Sequence, residues 1–447
     1  MSDRLATLTE ALLAAATRAG ADSADALAVS GTSLSIDIRA GRLEQAERSE
    51  ATEVGLRVMM GQRQACVSAS DVTPATFAAL AERAVAMARE APEDRFVGLA
   101  DVGQLARGWD ITAYELCDPA GEPTAAALEQ DARQAEAAAL EAGAINQVEA
   151  SAGYGHRAMH LAGSHSFSGG YARTSRSISA VAFTGTGTGM ERDWAAEGRT
   201  WQADLPDAAG IGALAGQRAL QRAGARKPAT GTYPVLFDER IAASLIGHLL
   251  GAVNGAAIAR GASWLRDALG QQVLPAGLSV IEDPHRPRLS GSRPFDGEGL
   301  PTARRAIVDD GVLTGWTLDL GTGRQLGMAS TGNASRSTSA PPSPSTSNID
   351  LTPGTASQAD LIRDMGTGLL VTSMIGSTIN PTTGDYSRGA SGFWVEGGQV
   401  LYPVNECTIA GNLRDMLLRI IPANDARTHL STRVPSILIE GMILAGS

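Results

Sequence analysis

Alternation of apolar and polar residues with a period of two restricts this chain most. Leu34, Ile36 and Ile38 take one side, and Ser33, Ser35, Asp37 and Arg39 the other. That is the pattern of a strand buried on one face. Ala40-Gly41 reads as a turn into Arg42-Leu-Glu-Gln-Ala46. Val54-Gly-Leu-Arg-Val58 and Gln64-Ala-Cys-Val-Ser68 follow with Gly61 between them, a run of short hairpins. Farther on, Ile307-Val-Asp-Asp-Gly-Val-Leu313 sets Asp-Gly between β-branched runs, and Phe393 to Tyr402 repeats the device with Gly397-Gly398.

Between these hairpins lie helical stretches. Leu5, Leu8, Leu12 and Ala15 trace one face from residue 4 to about 19. Thr73-Pro74 supplies an N-cap and a first-turn proline for a helix to about Ala91. Further helices are predicted from Pro123 to Ala142 and from Leu205 to Ala223, with strands from Val148 to Val181 between them. The polar segment Arg226-Lys-Pro-Ala-Thr-Gly231 divides the chain into residues 1–228 and 229–447. Both parts read as α+β domains with antiparallel sheets and packed helices, and the Rossmann-type alternation is missing.

The formal charge of −11 disfavours nucleic acid, whose phosphates need a positive field. No apolar run approaches the roughly 18–20 residues that cross a bilayer. The first ten residues lack the basic-then-apolar order of a signal peptide. Cys66, Cys117 and Cys407 are far apart and show no CxxC spacing, which argues against a disulfide framework or structural zinc. The expected compartment is the cytoplasm.

After the short strand Tyr233 to Asp238, Leu245, Leu249, Leu250 and Val253 mark a buried helix near 241–255. A metallopeptidase helix would need two histidines on one face and a glutamate beside the first. This helix offers one imidazole, His248, and no nearby carboxylate. His248 reads as a packed or hydrogen-bonded histidine, with a lone general base or a ligand shared across an interface as the sharper alternatives. His156, His160 and His165 fall among glycines that indicate strand and turn, so their spacing carries no metal signature. Ser387 lacks a nucleophile elbow and a histidine partner. Cys407 follows Glu406, whose charge would raise the thiol pKa, and reads as structural. Ser330 to Asn348 is dense in Ser and Pro and predicts a locally disordered loop, either plain surface or the wall of a substrate channel.

Several motifs of the second half then fall in a specific order. Phe295-Asp-Gly-Glu-Gly299 leads through Thr302-Ala-Arg-Arg305 to the Asp-Gly hairpin, followed by Arg324-Gln-Leu-Gly327 and Ser330-Thr-Gly-Asn333. Thr383-Gly-Asp-Tyr-Ser387, Gly389-Ala-Ser-Gly-Phe-Trp394, Thr408-Ile-Ala-Gly-Asn412 and Pro435-Ser-Ile-Leu-Ile439 complete the series. In this order they resemble the TldD/PmbA family, in its PmbA (TldE) branch. Gly31-Thr-Ser-Leu-Ser35, Leu43-Glu44, Gly55-Leu-Arg-Val58 and Pro92-Glu-Asp94 extend the likeness over essentially the whole chain.

The resemblance implies one subunit of a heteromeric metallopeptidase acting on unfolded peptides. In the TldD branch a His-Glu-x-x-x-His helix and a later cysteine bind the metal. Here those helix positions are Gly247, His248 and Ala252, and no cysteine follows Asn412. The implied role is therefore a non-catalytic one, completing the cleft beside a TldD-like partner that carries the metal, zinc, while this chain carries none. Cleft or substrate-loop candidates are Asp296, Glu298, Thr331, Gly332 and Asn333. A homodimer in isolation is compatible with this reading. The alternatives are a stand-alone binding or scaffold protein of the same fold, and a self-sufficient hydrolase using His248 or Ser387.

Overall fold

A computed structural model describes residues 2–446. The first half is built on one six-stranded antiparallel sheet in the order β3-β2-β1-β4-β5-β6. Its strands are β1 (Ser23–Arg39), β2 (Arg42–Met60), β3 (Arg63–Ala69), β4 (Gln147–Gly163), β5 (Ser168–Thr184) and β6 (Glu191–Arg199). Four helices accompany them: α1 (Ser2–Arg18), α2 (Pro74–Glu90), α3 (Ala125–Glu141) and α4 (Ala208–Gln221). The chain thus runs twice through helix, three strands and helix, and the two units join where β1 pairs with β4.

The expected caps are formed. Thr73 accepts the Thr76 amide at 3.4 Å, and Pro74 opens α2. Ala40 and Gly41 both have positive φ, the two-residue turn that suits the right-handed twist of a hairpin. Because successive side chains of β1 alternate, Ala24, Ala26 and Ala28 enter one core under α1 and α2. Leu34, Ile36 and Ile38 enter a second under α3 and α4. One 17-residue strand is long enough to serve both.

In the second half, β7 (Gly231–Phe237) leads into α5 (Glu239–Ala252). Strand Gln399–Asn412 pairs with Asp385–Glu396 on one side and with Ile437–Ala445 on the other. With β7 and Gly368–Ile379 these strands close into a barrel, which leaves fewer open edges. All its pairs are antiparallel except β7 with Gly368–Ile379. More than a hundred residues separate those two strands, ample for the crossover a parallel pair requires. Leu245, Ile246 and Leu249 of α5 share one core with Val235, Phe237, Leu369 and Ile409.

The halves meet across the sheet face opposite α1 and α2. Phe295 sits 5.0 Å from Phe167 and from Trp109, and 5.5 Å from Tyr171. Such aromatic contacts add to simple area burial. The Ser330–Asn348 loop is not locally disordered. It crosses this same interface, its Ala334–Ser335 paired with Ser343–Pro344 and its Asn333, Thr338 and Asn348 buried. At Gly55 of β2 the loop comes so near that a Cβ would lie 2.1 Å from the Thr338 carbonyl oxygen. Gly55→Ala is therefore expected to destabilise the protein by about 1–3 kcal/mol, as overpacking does. Urea unfolding measures this, and an unchanged midpoint would show that the loop is not pressed against β2.

Candidate functional site

Asp238 caps α5 by accepting the Arg240 amide at 3.1 Å, and Ala242, Leu245, Ile246, Leu249 and Ala252 turn to the core. Gly247 and Gly251 occupy the exposed side, with open space where a Cβ would stand on either. His248 is half-buried between these faces. Its ring meets Tyr386 edge-on at 5.9 Å, and its Nε2 is buried without a hydrogen-bond partner. Burial and the Arg388 guanidinium hold its pKa below the ordinary histidine value.

At Gly247 there is room for a side chain but no donor atom. Ala252 has no donor either and is buried. Catalytic zinc is held by about three protein ligands, and one imidazole between a glycine and an alanine does not meet that requirement. Among the described residues, no three His, Cys, Asp or Glu side chains are grouped to hold an ion. The residues of α5 do not fit a catalytic metal.

Asp296, Glu298, Thr331, Gly332 and Asn333 come together in a separate cluster. Asp296 is buried and organises it: Oδ1 accepts the amides of Glu298 and Leu300, both at 2.9 Å, and Oδ2 accepts the Ala334 amide at 2.9 Å. The Thr331 hydroxyl accepts the Leu318 amide at 2.8 Å, and Asn333 Nδ2 donates to Glu282 at 2.8 Å. Gly332 has φ +67°, and a Cβ there would lie 2.4 Å from the Pro301 oxygen. The cluster adjoins the C-terminal end of α5, where the Gly255 amide bonds Thr317 at 2.8 Å and Asn254 bonds Pro344 at 2.9 Å. Gly247 and His248 lie outside it.

Glu298 is the chemically unusual member. Its Oε2 accepts the Leu320 amide at 2.8 Å, and burial together with the Asp296 carboxylate pushes its pKa up to about 8. It lines a cavity of about 200 Å³ with Arg57, Asp319, Phe96 and Pro341 to Pro344. A carboxyl held neutral near neutral pH can donate a hydrogen bond or take up charge on ligand binding.

Sequence reading missed the ion network behind this cavity. Asp25 of β1 is buried between Arg57 of β2, whose Nε donates to it at 2.9 Å, and Arg336 of the 330–348 loop. Arg336 lies 311 positions from Asp25, so no local pattern could have joined them. Both guanidinium groups hold the Asp25 carboxyl below its ordinary range, against the opposing effect of burial.

Three of the remaining candidates are structurally occupied, whereas both ring nitrogens of His165 are buried without a hydrogen-bond partner. His160 lies in β4, with Nδ1 2.8 Å from the Thr9 hydroxyl and Nε2 3.3 Å from Ser168. Ser387 sits within a strand, paired with Thr378 and Ala410. Cys407 is buried and donates to the Ala390 carbonyl at 3.2 Å, with its pKa up to about 11. The cause is burial, not Glu406, which is exposed and pairs with Lys227 at 3.1 Å.

Three family models match the chain: PmbA/TldA metallopeptidase domain 1 over residues 24–88, the central domain over 118–223 and the C-terminal domain over 230–446. The chain belongs to the PmbA/TldD metallopeptidase family, in its PmbA branch. It is 36% identical to the metalloprotease PmbA of Escherichia coli O157:H7, over 95% of this chain and 92% of that protein. A PmbA homolog from Haemophilus influenzae is also 36% identical, over 97% and 94%. A solved structure from Bacteroides thetaiotaomicron, described as a candidate modulator of DNA gyrase, superposes with TM-score 0.91 at 26% identity, over 99% and 98% of the two chains. TldE from Thermococcus kodakarensis has the same fold, with TM-score 0.85 at 20% identity over 98% and 99%.

Two measurements check this electrostatic description. Asp25→Asn leaves two buried guanidinium groups without their counter-ion and is expected to cost about 3–5 kcal/mol in urea unfolding. A loss under 1 kcal/mol would mean that solvent already compensates the arginines. Glu298 keeps its proton up to about pH 8 when folded, against an ordinary value of 4.5. Its contribution to stability is therefore full at low pH and declines as pH rises through that window. Between pH 5 and 8, Glu298→Gln should flatten the fall in Tm, and an unaltered slope would contradict the assignment.

Proposed function

We propose that this chain is the non-metal-binding subunit of a heteromeric TldD/PmbA-type peptidase that degrades or processes unfolded peptides. It completes the substrate cleft and supports a TldD-like partner that holds the metal. The observation that carries this reading is α5. The helix keeps its place between β7 and the barrel core, and its exposed side at Gly247 and Gly251 is open, yet the position with room lacks a donor. Such a helix suits a wall of a cleft better than a centre of chemistry.

Two further points support it. A metalloprotease TldD homolog of Buchnera aphidicola is 24% identical over 46% of this chain, so the same family contains proteins with the other subunit's name. On the substrate side, Asp296, Glu298, Thr331, Gly332 and Asn333 border the end of α5, beside a loop fixed across both halves of the chain. An extended peptide closed under that loop would be held by main-chain contacts, independent of its sequence. No helix among the described residues is long and apolar enough to cross a membrane, which accords with action in the cytoplasm.

Peptidase activity and metal content of the chain alone, of a TldD-like partner alone and of their mixture test the proposal. The expected result is an inert, metal-free chain that raises cleavage of extended peptides when mixed, with co-elution of the two. A chain that binds metal and cleaves peptides alone would overturn it.

A further inference from the structure

A cavity of about 160 Å³ lies where β6, α4 and the start of α5 meet. Three guanidinium groups line it, those of Arg218, Arg240 and Arg427, against one carboxylate, Glu197. Two of the three are compensated. Arg240 donates to Asp238 at 2.9 Å and to Asp193 at 3.1 Å. Arg427 donates to Glu239 at 2.8 Å and to Glu197 at 3.4 Å. Glu197 is held in addition by Arg199 at 2.7 Å and lies 3.2 Å from His429 Nε2.

Arg218 differs from its neighbours. Its Nη1 donates to the Trp194 carbonyl at 3.1 Å, and it has no ion-pair partner among the described residues. Half-buried, it has its pKa lowered by burial first and by the Arg240 guanidinium second, against the opposing pull of Asp193, Asp238 and Glu239, which act on it without a direct ion pair. A guanidinium partly withdrawn from water, whose one direct hydrogen-bond acceptor is a neutral carbonyl, has N–H donors left for an anion.

The rest of the wall gives the anion its character. Pro206, Ile211, Leu214 and Trp194 line the same cavity, and Trp194 and Leu214 are 44% and 40% exposed. Strand β6 is the edge of its sheet, paired only with β5. Trp194 turns its amide to the Asp193 carboxylate at 2.7 Å and its carbonyl to Arg218, away from β5. Ala196 has the same strand parity, so its N–H and C=O also point to the open edge. A main chain running along this edge meets that donor and acceptor and reaches Arg218 at its end.

We propose that this cleft binds the C-terminal carboxylate of a peptide whose last residue is apolar. Arg218 takes the carboxylate in a charge-assisted hydrogen bond, Leu214 and Pro206 cover the terminal side chain, and the β6 edge receives the preceding backbone. The choice of a peptide as the ligand rests on the function proposed above, but the binding is a property of this chain alone.

The test compares binding of a fluorescent pentapeptide ending in leucine, as free acid and as C-terminal amide, to the full chain without any partner. The free acid is expected to bind at least about tenfold more tightly, the range of one charge-assisted contact. Arg218→Gln should abolish that difference with Tm unchanged, and Leu214→Ala should weaken acid and amide alike. Equal affinity of acid and amide overturns the proposal, as does a preference for the acid that survives Arg218→Gln. Acetate or inorganic phosphate displacing the peptide at its own concentration also overturns it, by marking an unselective anion site. Because no activity enters the readout, an acid preference stands even if the two-subunit reading fails. Its absence beside an active mixture removes this inference alone.

Discussion

The carboxylate of Asp25 is the point on which the two halves of this protein depend. It is withdrawn from water at the interface and receives guanidinium groups from β2 and from the 330–348 loop. Burying one carboxylate between two arginines is tolerable only while every member stays in place. That requirement fixes the loop against the sheet, and the contact at Gly55 shows how closely the backbones then approach. Phe295, Phe167, Tyr171 and Trp109 fill the adjoining space and exclude the water that would weaken the ion pairs.

This interface also sets the geometry of the second half around the end of α5. The Asp296 turn is tied by three amides to itself and to the loop, so the loop's position is transmitted to Glu298 and to the end of α5. The open side of α5 and the cluster at its C-terminus are separate features, one without donor atoms and one rich in them. At the other end of α5, the arginines beside β6 form a second charged region: Arg240 and Arg427 pair directly with Asp193, Asp238, Glu197 and Glu239, whereas Arg218 meets Asp193, Asp238 and Glu239 only at longer range.

Much of the local structure was legible in advance because its causes are local. Thr73-Pro74, Ala40-Gly41, Asp310-Gly311 and Gly397-Gly398 act within a few residues, through a cap or through φ values that glycine readily adopts. The alternation of β1 foretold a half-buried strand, though not that its two ends would serve different cores. The Ser- and Pro-rich composition of residues 330–348 pointed to disorder, and the structure instead ties that loop down. Arg336 and Asn333 find their partners only across the fold. At Cys407 it is burial that raises the thiol pKa, and not the charge of the adjacent Glu406 that the sequence suggests.

The sequence by itself determined the strands, the helices, their caps and turns, and the family to which the chain belongs. It also determined that Gly247 and Ala252 bring no donor atoms, because side-chain chemistry needs no coordinates. Only the tertiary structure decided the raised pKa of Glu298, the lowered one of Asp25 and the lack of a direct ion pair at Arg218. Each of those depends on burial and on charges supplied by residues distant in sequence, and electrostatics at a few ångströms is blind to chain order.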